Sequence, residues 1–326
     1  MPVIYIERAV STPPRDADTF VVGDDDSTRL DQFLVRHLPD CSRRRARLAI
    51  GLGAVLVNGR RGRKGQPLRP GDVVRADRAA WDRALVPQPD LAVPVLYADA
   101  DIVAVDKPAG MPSIALRADD NGTVANYLLG HYPEVRGVGG SAFEAGLAHR
   151  LDTATSGVLV AGRTAAAWRR LRAQFHDRRV DKLYLAVVVG DVAHGGTIAT
   201  PIAHRPRRPR EMCVCAEPER AGVLHARPAF TCYRPFRRFG DATLLAVRIR
   251  TGVRHQIRVH LDSIGHPLMG DTVYGHQEAT LAASRLLLHA ARLAIIHPTD
   301  GRRVIIRSPL PKDFRAALRC LQDSQR

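Results

Sequence analysis

The sequence predicts an α+β protein. A small basic unit of helices and short strands precedes a larger domain with a mixed, mostly antiparallel sheet and flanking helices. Three observations carry this reading. Short apolar, β-branched runs such as Leu183–Val189 and Leu244–Ile249 read as strands, and other segments hold apolar residues at helical spacing. Gly, Pro and Asn signals mark tight turns beside several of these runs. A stretch without periodicity, bearing Pro87, Pro89 and Pro94, separates the two parts.

The 326 residues suffice for about two domains, and 45% hydrophobic content supports a sizeable core. A formal net charge of +16 argues for a polyanionic partner, most simply nucleic acid. The five cysteines (Cys41, Cys213, Cys215, Cys232, Cys320) form no regular framework, as in a reducing cytoplasm. Met1 to Val10 is interrupted by Glu7 and Arg8 and lacks the apolar run of a signal peptide. No run approaches the ~20 residues that span a bilayer. A soluble, cytoplasmic, monomeric protein with no membrane partner is expected.

Residues 1–26 end in Asp24-Asp25-Asp26 and are expected to form a loosely attached arm. The basic unit spans 27–76. Thr28 is placed to cap a helix, with Asp31 three residues on, and Leu30, Phe33, Leu34 and Leu38 fall at helical spacing. Ser42 is placed to cap a second helix, Arg43 to Ile50, ended by Gly51 and Gly53. Val55-Leu56-Val57 is a short strand, Asn58-Gly59 a hairpin turn, and Pro70-Gly71-Asp72 a turn before Val73-Val74. Between Ser42 and Arg75 stand ten Arg or Lys and one acid, Asp72. That density, led by Arg43, Arg44, Arg45 and Arg47, predicts a phosphate-contacting surface. A solvated basic face is the alternative.

Residues 77–93 form the linker and 94–326 the second domain. Val95-Leu96-Tyr97 opens it. Ile102–Val105 is a buried strand before the sharp turn Asp106-Lys107-Pro108-Ala109-Gly110, and Asn126 to His131 is helical. His149-Arg150-Leu151-Asp152-Thr153-Ala154-Thr155-Ser156-Gly157 is a polar loop at the edge of the strand Val158–Ala161. Loops held by a rigid sheet are common seats of catalytic groups. Thr164 is placed to cap a helix with Trp168, Leu171 and Phe175 on one face. Within an irregular 203–222, Arg205, Arg207, Arg208 and Arg210 make a basic loop or hairpin. Further on, Ile257, Leu261 and Ile264 share a helix face, with Arg254 and Arg258 at its border. Gly265 to Asp271 is a tight polar loop ending at Tyr274-Gly275. Arg285 to Ile296 holds a last strand near its middle, and a helix closes the chain at Asp313–Leu321.

The sequence lacks a Walker-type phosphate loop, a Gly-x-Gly-x-x-Gly after a strand and a Gly-x-Ser-x-Gly elbow. Cys213, Cys215, Cys232 and His225 fit no usual zinc spacing, and the paired-cysteine deaminase signature is absent. What remains is Asp152 at a strand edge and arginines that could reach it. An ionised carboxylate can act as a nucleophile without a cofactor. Tyr184, on a strong strand after Asp181-Lys182, offers a platform for a flipped base. A structural ion pair and a core aromatic are the alternative readings.

Residues 28–75 resemble the small RNA-binding module named after ribosomal protein S-four. The likeness rests on Thr28-Arg29-Leu30-Asp31, Ser42-Arg43-Arg44-Arg45, Val55-Leu56-Val57-Asn58-Gly59 and Pro70-Gly71-Asp72-Val73-Val74. Residues 95–300 resemble the RluA-type pseudouridine synthases. Here the likeness rests on Lys107-Pro108-Ala109-Gly110, His149-Arg150-Leu151-Asp152 through Thr155-Ser156-Gly157, and Lys182-Leu183-Tyr184. It continues in Thr251-Gly252, His255-Gln256-Ile257-Arg258, His260, Gly265-His266-Pro267, Gly270-Asp271, Tyr274-Gly275 and Leu288-His289-Ala290.

The resemblance implies isomerisation of uridine within RNA, the base leaving the sugar through nitrogen and returning through carbon, with no cofactor or metal needed. It implies Asp152 as the catalytic aspartate, Tyr184 as a contact to the target base and Arg258 as the partner of Asp152. Arg150, Thr155, Arg254, His255 and Gln256 are expected to bind substrate. Large-subunit ribosomal RNA is the expected target. Transfer RNA, and a non-catalytic RNA-binding or ribosome-assembly role, are the alternatives. One departure stands out: the family's Thr-Gly-Arg-x-His-Gln is here Thr251-Gly252-Val253-Arg254-His255-Gln256, with the arginine displaced by one position.

Overall fold

Four short strands and two helices build the N-terminal part of a computed structural model, which describes residues 17–26, 28–38, 41, 43–77, 85–115, 120–141, 143–217, 225–275 and 283–324. The chain divides into two compact units, Met1–Leu85 and Val86–Arg326.

In the first unit, β1 (Ala17–Val21), α1 (Leu30–His37), α2 (Arg43–Leu52), β2 (Val55–Val57), β3 (Arg60–Arg61) and β4 (Val73–Asp77) follow in order. The sheet runs β1-β4-β2-β3 and is antiparallel throughout. The helical spacing of Leu30, Phe33 and Leu34 places all three in one core, with Leu38, Ala46, Ile50, Val55 and Val74. Asn58 and Gly59 both take positive φ, 50° and 72°, as the tight turn between β2 and β3 requires.

Three expectations for this unit are corrected. Residues 17–21 are not a loose arm: they form an edge strand in register with β4, from Ala17↔Asp77 to Val21↔Val73. Asp16, Asp18 and the acidic run behind them obscure the short β-forming Thr19-Phe20-Val21-Val22. Thr28 does not cap α1. Arg29 occupies that position without a side-chain cap, and the Thr28 hydroxyl donates to Gln32 Oε1. Gly51 lies inside α2, and Gly53, at φ +74°, follows its end. The expected cap Ser42 lies outside the described residues.

In the second unit, β5 (Val95–Ala98), β6 (Ile102–Lys107), α3 (Val124–His131), β7 (Ser156–Gly162), α4 (Ala165–His176) and β8 (Asp181–Val189) come first. Then follow β9 (Gly196–Ile198), β10 (Ile202–Arg205), β11 (Arg208–Val214), β12 (Thr231–Arg238) and β13 (Ala242–Ile249). The chain closes with α5 (Gln256–Ser263), β14 (Leu288–Ile296), β15 (Arg303–Arg307) and α6 (Lys312–Asp323). Nine strands form one sheet in the order β5-β6-β7-β14-β8-β13-β12-β9, with β15 also on β14. Only the β7–β14 pair is parallel among the described strands. The sheet is mixed and mostly antiparallel, and the α+β class holds.

Every residue of β7 is buried. Val158 and Val160 meet Ala167 and Leu171 of α4 in one core cluster. Elsewhere Phe314 of α6 packs against Val187 and Leu244. Helix α3 starts two residues before Asn126, because Thr123 and Asn126 form a reciprocal capping box. Of the loop or hairpin expected in the basic segment, the hairpin forms: β10 and β11 pair as two antiparallel strands with a bulge at His204/Arg205.

The parallel junction of β7 and β14 sets His289 opposite Ser156 and Ala290 opposite Gly157. Gly157 sits at φ +117°, and a Cβ there would lie 2.3 Å from the Ala290 carbonyl oxygen. Gly157→Ala should therefore cost at least about 2 kcal/mol in urea unfolding. Gly301→Ala, at φ +75° in open space, should cost about 1 kcal/mol. Equal losses at the two sites would show that the junction tolerates the methyl group.

Candidate active site

The loop leading into β7 is clamped by the segment that follows β6. Lys107 Nζ donates to the carbonyl oxygens of Pro108 (2.8 Å), Met111 (2.6 Å) and Thr153 (2.9 Å). Gly110 N also donates to Thr153 O at 2.8 Å. The Ser113 hydroxyl donates to Leu151 O at 2.8 Å and accepts from Leu151 N. Asp152 is thus flanked on both sides by anchored backbone. Lys107 is fully buried, and that burial brings its ammonium down to about 7 while the negative charge of Asp152 opposes the shift.

The side chain of Asp152 is 29% exposed, and Arg258, only 7% exposed, brings Nη1 to 3.8 Å from its Oδ2. The other edge of the guanidinium is held in a bidentate pair with Asp271: Nε to Oδ2 and Nη2 to Oδ1, both 2.7 Å. Asp271 is itself buried and accepts the backbone N–H groups of Val273 and Tyr274. Burial opposes the charge on both partners, yet the pairing raises Arg258 above its ordinary value and holds Asp271 below its own. The Tyr274 ring lies 5.0 Å from the guanidinium carbon.

Tyr184 is buried on β8, and His149, Lys182 and Arg292 line a small cleft with it. Burial, and then the charge of Asp152, raises its phenol above the ordinary value. His149 stacks on Phe175 at 4.5 Å, and its Nε2 accepts Val160 N–H. Burial lowers this imidazole to about 3, so it is neutral. Lys182 Nζ donates to Thr251 O at 3.0 Å, and burial brings it to about 8.

This arrangement joins a half-open carboxylate, a buried guanidinium and a buried tyrosine beside the central strands β7 and β8. The RNA pseudouridylate synthase model matches residues 101–263, and the S4 domain model matches 28–74. An RNA pseudouridine synthase of Chloroflexus aurantiacus is 41% identical over 97% of this chain and 94% of its own length. The chain belongs to the RNA pseudouridine synthase family. The enzyme is therefore an isomerase of uridine in RNA. The ribosomal large subunit pseudouridine synthase D of Pseudomonas aeruginosa is 34% identical over 95% of this chain and 94% of that protein. The solved structure of Human RNA Pseudouridylate Synthase Domain Containing 1 is 27% identical, with a TM-score of 0.57 over 72% of this chain and 90% of that one.

The synthase brings Asp152, Arg258 and Tyr184 together as the sequence suggested, with one correction. The close partner of Arg258 is Asp271, and Asp152 is its second, looser neighbour. Arg150 and Arg254 are exposed and His255 is half-buried. Arg254 does not share a helix with Arg258: α5 begins at Gln256, after His255 at φ +55°. Thr155 and Gln256, also expected to bind substrate, are buried. Gln256 Oε1 accepts from Thr251 Oγ1 and Val253 N, and its Nε2 donates to Phe230 O and Thr231 Oγ1. It braces the entry to α5. In the first unit, Arg43 and Arg47 are exposed, and Arg47 pairs with buried Asp31 at 3.2 Å. The side chains of Arg44 and Arg45 lie outside those described.

Sequence reasoning gave no role to Lys107, Asp271 or Tyr274. The signal for Asp271 was available: an arginine turned into a core requires a buried acid, and the polar loop after Gly265 supplies one. Lys107 carried no such signal, since its three acceptors are backbone carbonyls.

Two outcomes follow from these buried groups. Arg258→Met leaves Asp271 buried without its cation and should cost about 3–5 kcal/mol in urea unfolding; wild-type stability would show that Asp271 finds another partner. The second concerns pH. His149 has a folded value below its unfolded one, so the unfolded chain binds the proton first, and stability falls as pH drops from about 6.5 towards 3. Its share of the slope is at most about 1.4 kcal/mol per pH unit. His149→Gln should flatten the acid limb of the stability–pH curve by up to that amount, and an unaltered limb would show that His149 is protonated when folded.

Proposed function

We propose that the synthase isomerises uridine in large-subunit ribosomal RNA, with Asp152 as nucleophile, Tyr184 against the target base and Arg258 orienting Asp152. The observation that carries this reading is the asymmetry of the two carboxylates on Arg258. Asp271 is buried and takes both 2.7 Å hydrogen bonds, whereas Asp152 is part-exposed at 3.8 Å, beyond hydrogen-bond length. Asp271 holds the guanidinium, and the Asp152 oxygens are left available to an incoming nucleotide.

The reaction conserves every heavy atom of the nucleotide. The bond between ribose C1′ and N1 breaks, a bond from C1′ to C5 forms, C5 releases its proton and N1 takes one up. An anionic oxygen on a fixed loop, close to but not bonded by a cation, suits transient attack on the nucleotide. Tyr184, its phenol held protonated by burial, offers a ring and a hydroxyl rather than a base. The choice of target rests on relatives such as the P. aeruginosa protein, whose name assigns it to the ribosomal large subunit. It rests also on the S4 domain match and the basic stretch 42–75. Arg150, Arg254, His255, Arg43 and Arg47 are exposed or half-buried and are positioned to serve phosphates. We infer a monomer acting in the cytoplasm, a compartment that suits five cysteines that form no disulfide. No helix among the described residues is long and apolar enough to cross a membrane.

Pseudouridines mapped in total RNA from cells with and without the protein should differ at uridines of the large-subunit RNA. Asp152→Asn should erase that difference while RNA affinity changes by less than about tenfold, or ~1.4 kcal/mol. Retention of a tenth of wild-type turnover would remove Asp152 from the role. Sites confined to transfer RNA would overturn the target.

A further inference from the structure

The β10–β11 hairpin belongs to no other sheet among the described residues, yet it is bound firmly to the helix that carries Arg258. Ile202 and Met212 of the hairpin share a small core with Ala229, Val253, Val259 and Tyr274. Two polar links reinforce it. His260 Nε2 lies 2.9 Å from Thr200 O just before β10, and Met212 N donates to Tyr274 Oη at 2.8 Å. Having accepted that bond, the phenol can donate its proton to His255 Nδ1, also 2.8 Å away. The Tyr274 ring meanwhile lies against the Arg258 guanidinium at 5.0 Å. At the far end of the hairpin, Arg205, Arg207 and Arg208 are exposed. Glu211 pairs with the first and third of these.

A single side chain therefore touches the root of a basic hairpin, the residue that opens α5 and the cation beside Asp152. We propose that Tyr274 is a positioning residue that couples the seating of RNA on the β10–β11 hairpin to the placement of Arg258 beside Asp152. The inference rests on the reading of Asp152 and Arg258 as the reacting pair. A hairpin displaced by a misfitting RNA would move Met212 and, through the hydroxyl, Tyr274 and the cation lying on its ring. Without the hydroxyl, the aromatic ring still packs, but the hairpin and the pair move independently.

The test is a mutant cycle read as the single-turnover isomerisation rate at saturating enzyme. The substrate is total RNA from cells lacking the protein, so an unexpected target RNA does not blind the assay. Tyr274→Phe keeps the ring and removes only the hydroxyl. It should lower the rate about tenfold with RNA affinity unchanged. Arg207→Ala with Arg208→Ala should lower the rate about threefold even at saturation. Combined with Tyr274→Phe, the arginine changes should add nothing further. Effects that multiply to about thirtyfold would show that hairpin and phenol act separately. A Tyr274→Phe enzyme at wild-type rate, or arginine variants that alter affinity alone, would equally overturn the coupling. Activity persisting in Asp152→Asn would instead strike the reading beneath it. With enzyme in saturating excess, loss of part of the folded protein changes neither the amplitude nor the rate, so a merely structural role for Tyr274 leaves the rate untouched.

Discussion

A buried guanidinium between two carboxylates is the constraint from which the rest of the site follows. Arg258 cannot lie in a core without compensation, and Asp271 supplies it in the bidentate geometry that a planar fork favours. Satisfying one edge of the fork fixes the direction of the other, which falls 3.8 Å from Asp152. Asp152 then lies beside the cation without a hydrogen bond to it. If Asp152 were the close partner, it would be held in a 2.7 Å bond and poorly placed to attack. The carboxylate that the charge demands is supplied inside the protein by Asp271, and Asp152 is left part-exposed.

The same principle holds the loop bearing Asp152. Its anchors are Lys107 and Ser113, which bind the carbonyls of Thr153 and Leu151 and leave the Asp152 carboxylate alone. Behind the start of β7, Ser156 Oγ meets His289 Nδ1 at 2.9 Å, and Ser308 joins His289 to Asp106. Burial lowers His289, which favours its neutral form in this network. Backbone is fastened by buried donors, and the functional side chain projects from it. This arrangement gives the Asp152 carboxylate both precision and exposure.

Much of this was legible in the sequence, for a physical reason. The central strands are buried on both faces and announce themselves as apolar runs, so β7, β8 and β13 could be placed to within a few residues. Asp152, Tyr184 and Arg258 stand in a dense pattern of polar residues beside those runs. What escaped notice was of another kind. The strand β1 is five residues of mixed character whose identity depends on pairing with β4, more than fifty residues away. Gln256 and Thr155 look like ligand contacts because they are polar and sit within a motif, but both serve the interior. A polar residue in a motif is ambiguous until burial is known, because bracing a loop and binding a substrate draw on the same chemistry.

The displaced arginine shows what that ambiguity means for specificity. Counted along an ideal helix, a shift by one position would swing Arg254 by ~100°. No such rotation applies, because His255 takes a left-handed conformation and the helix starts only after it. Gln256 fixes that start through Thr251, Val253, Phe230 and Thr231, none of which depends on the residue at 254. Position 254 is therefore an exposed place on a braced turn, where a side chain can change without moving Arg258. Position 253, where the family pattern has its arginine, is here a valine buried in the small core under the hairpin. The exchange turns a cation's place into part of the hairpin's footing and moves the positive charge one residue outward. The Asp152–Arg258 pair is left as it was, and the change falls on an exposed turn.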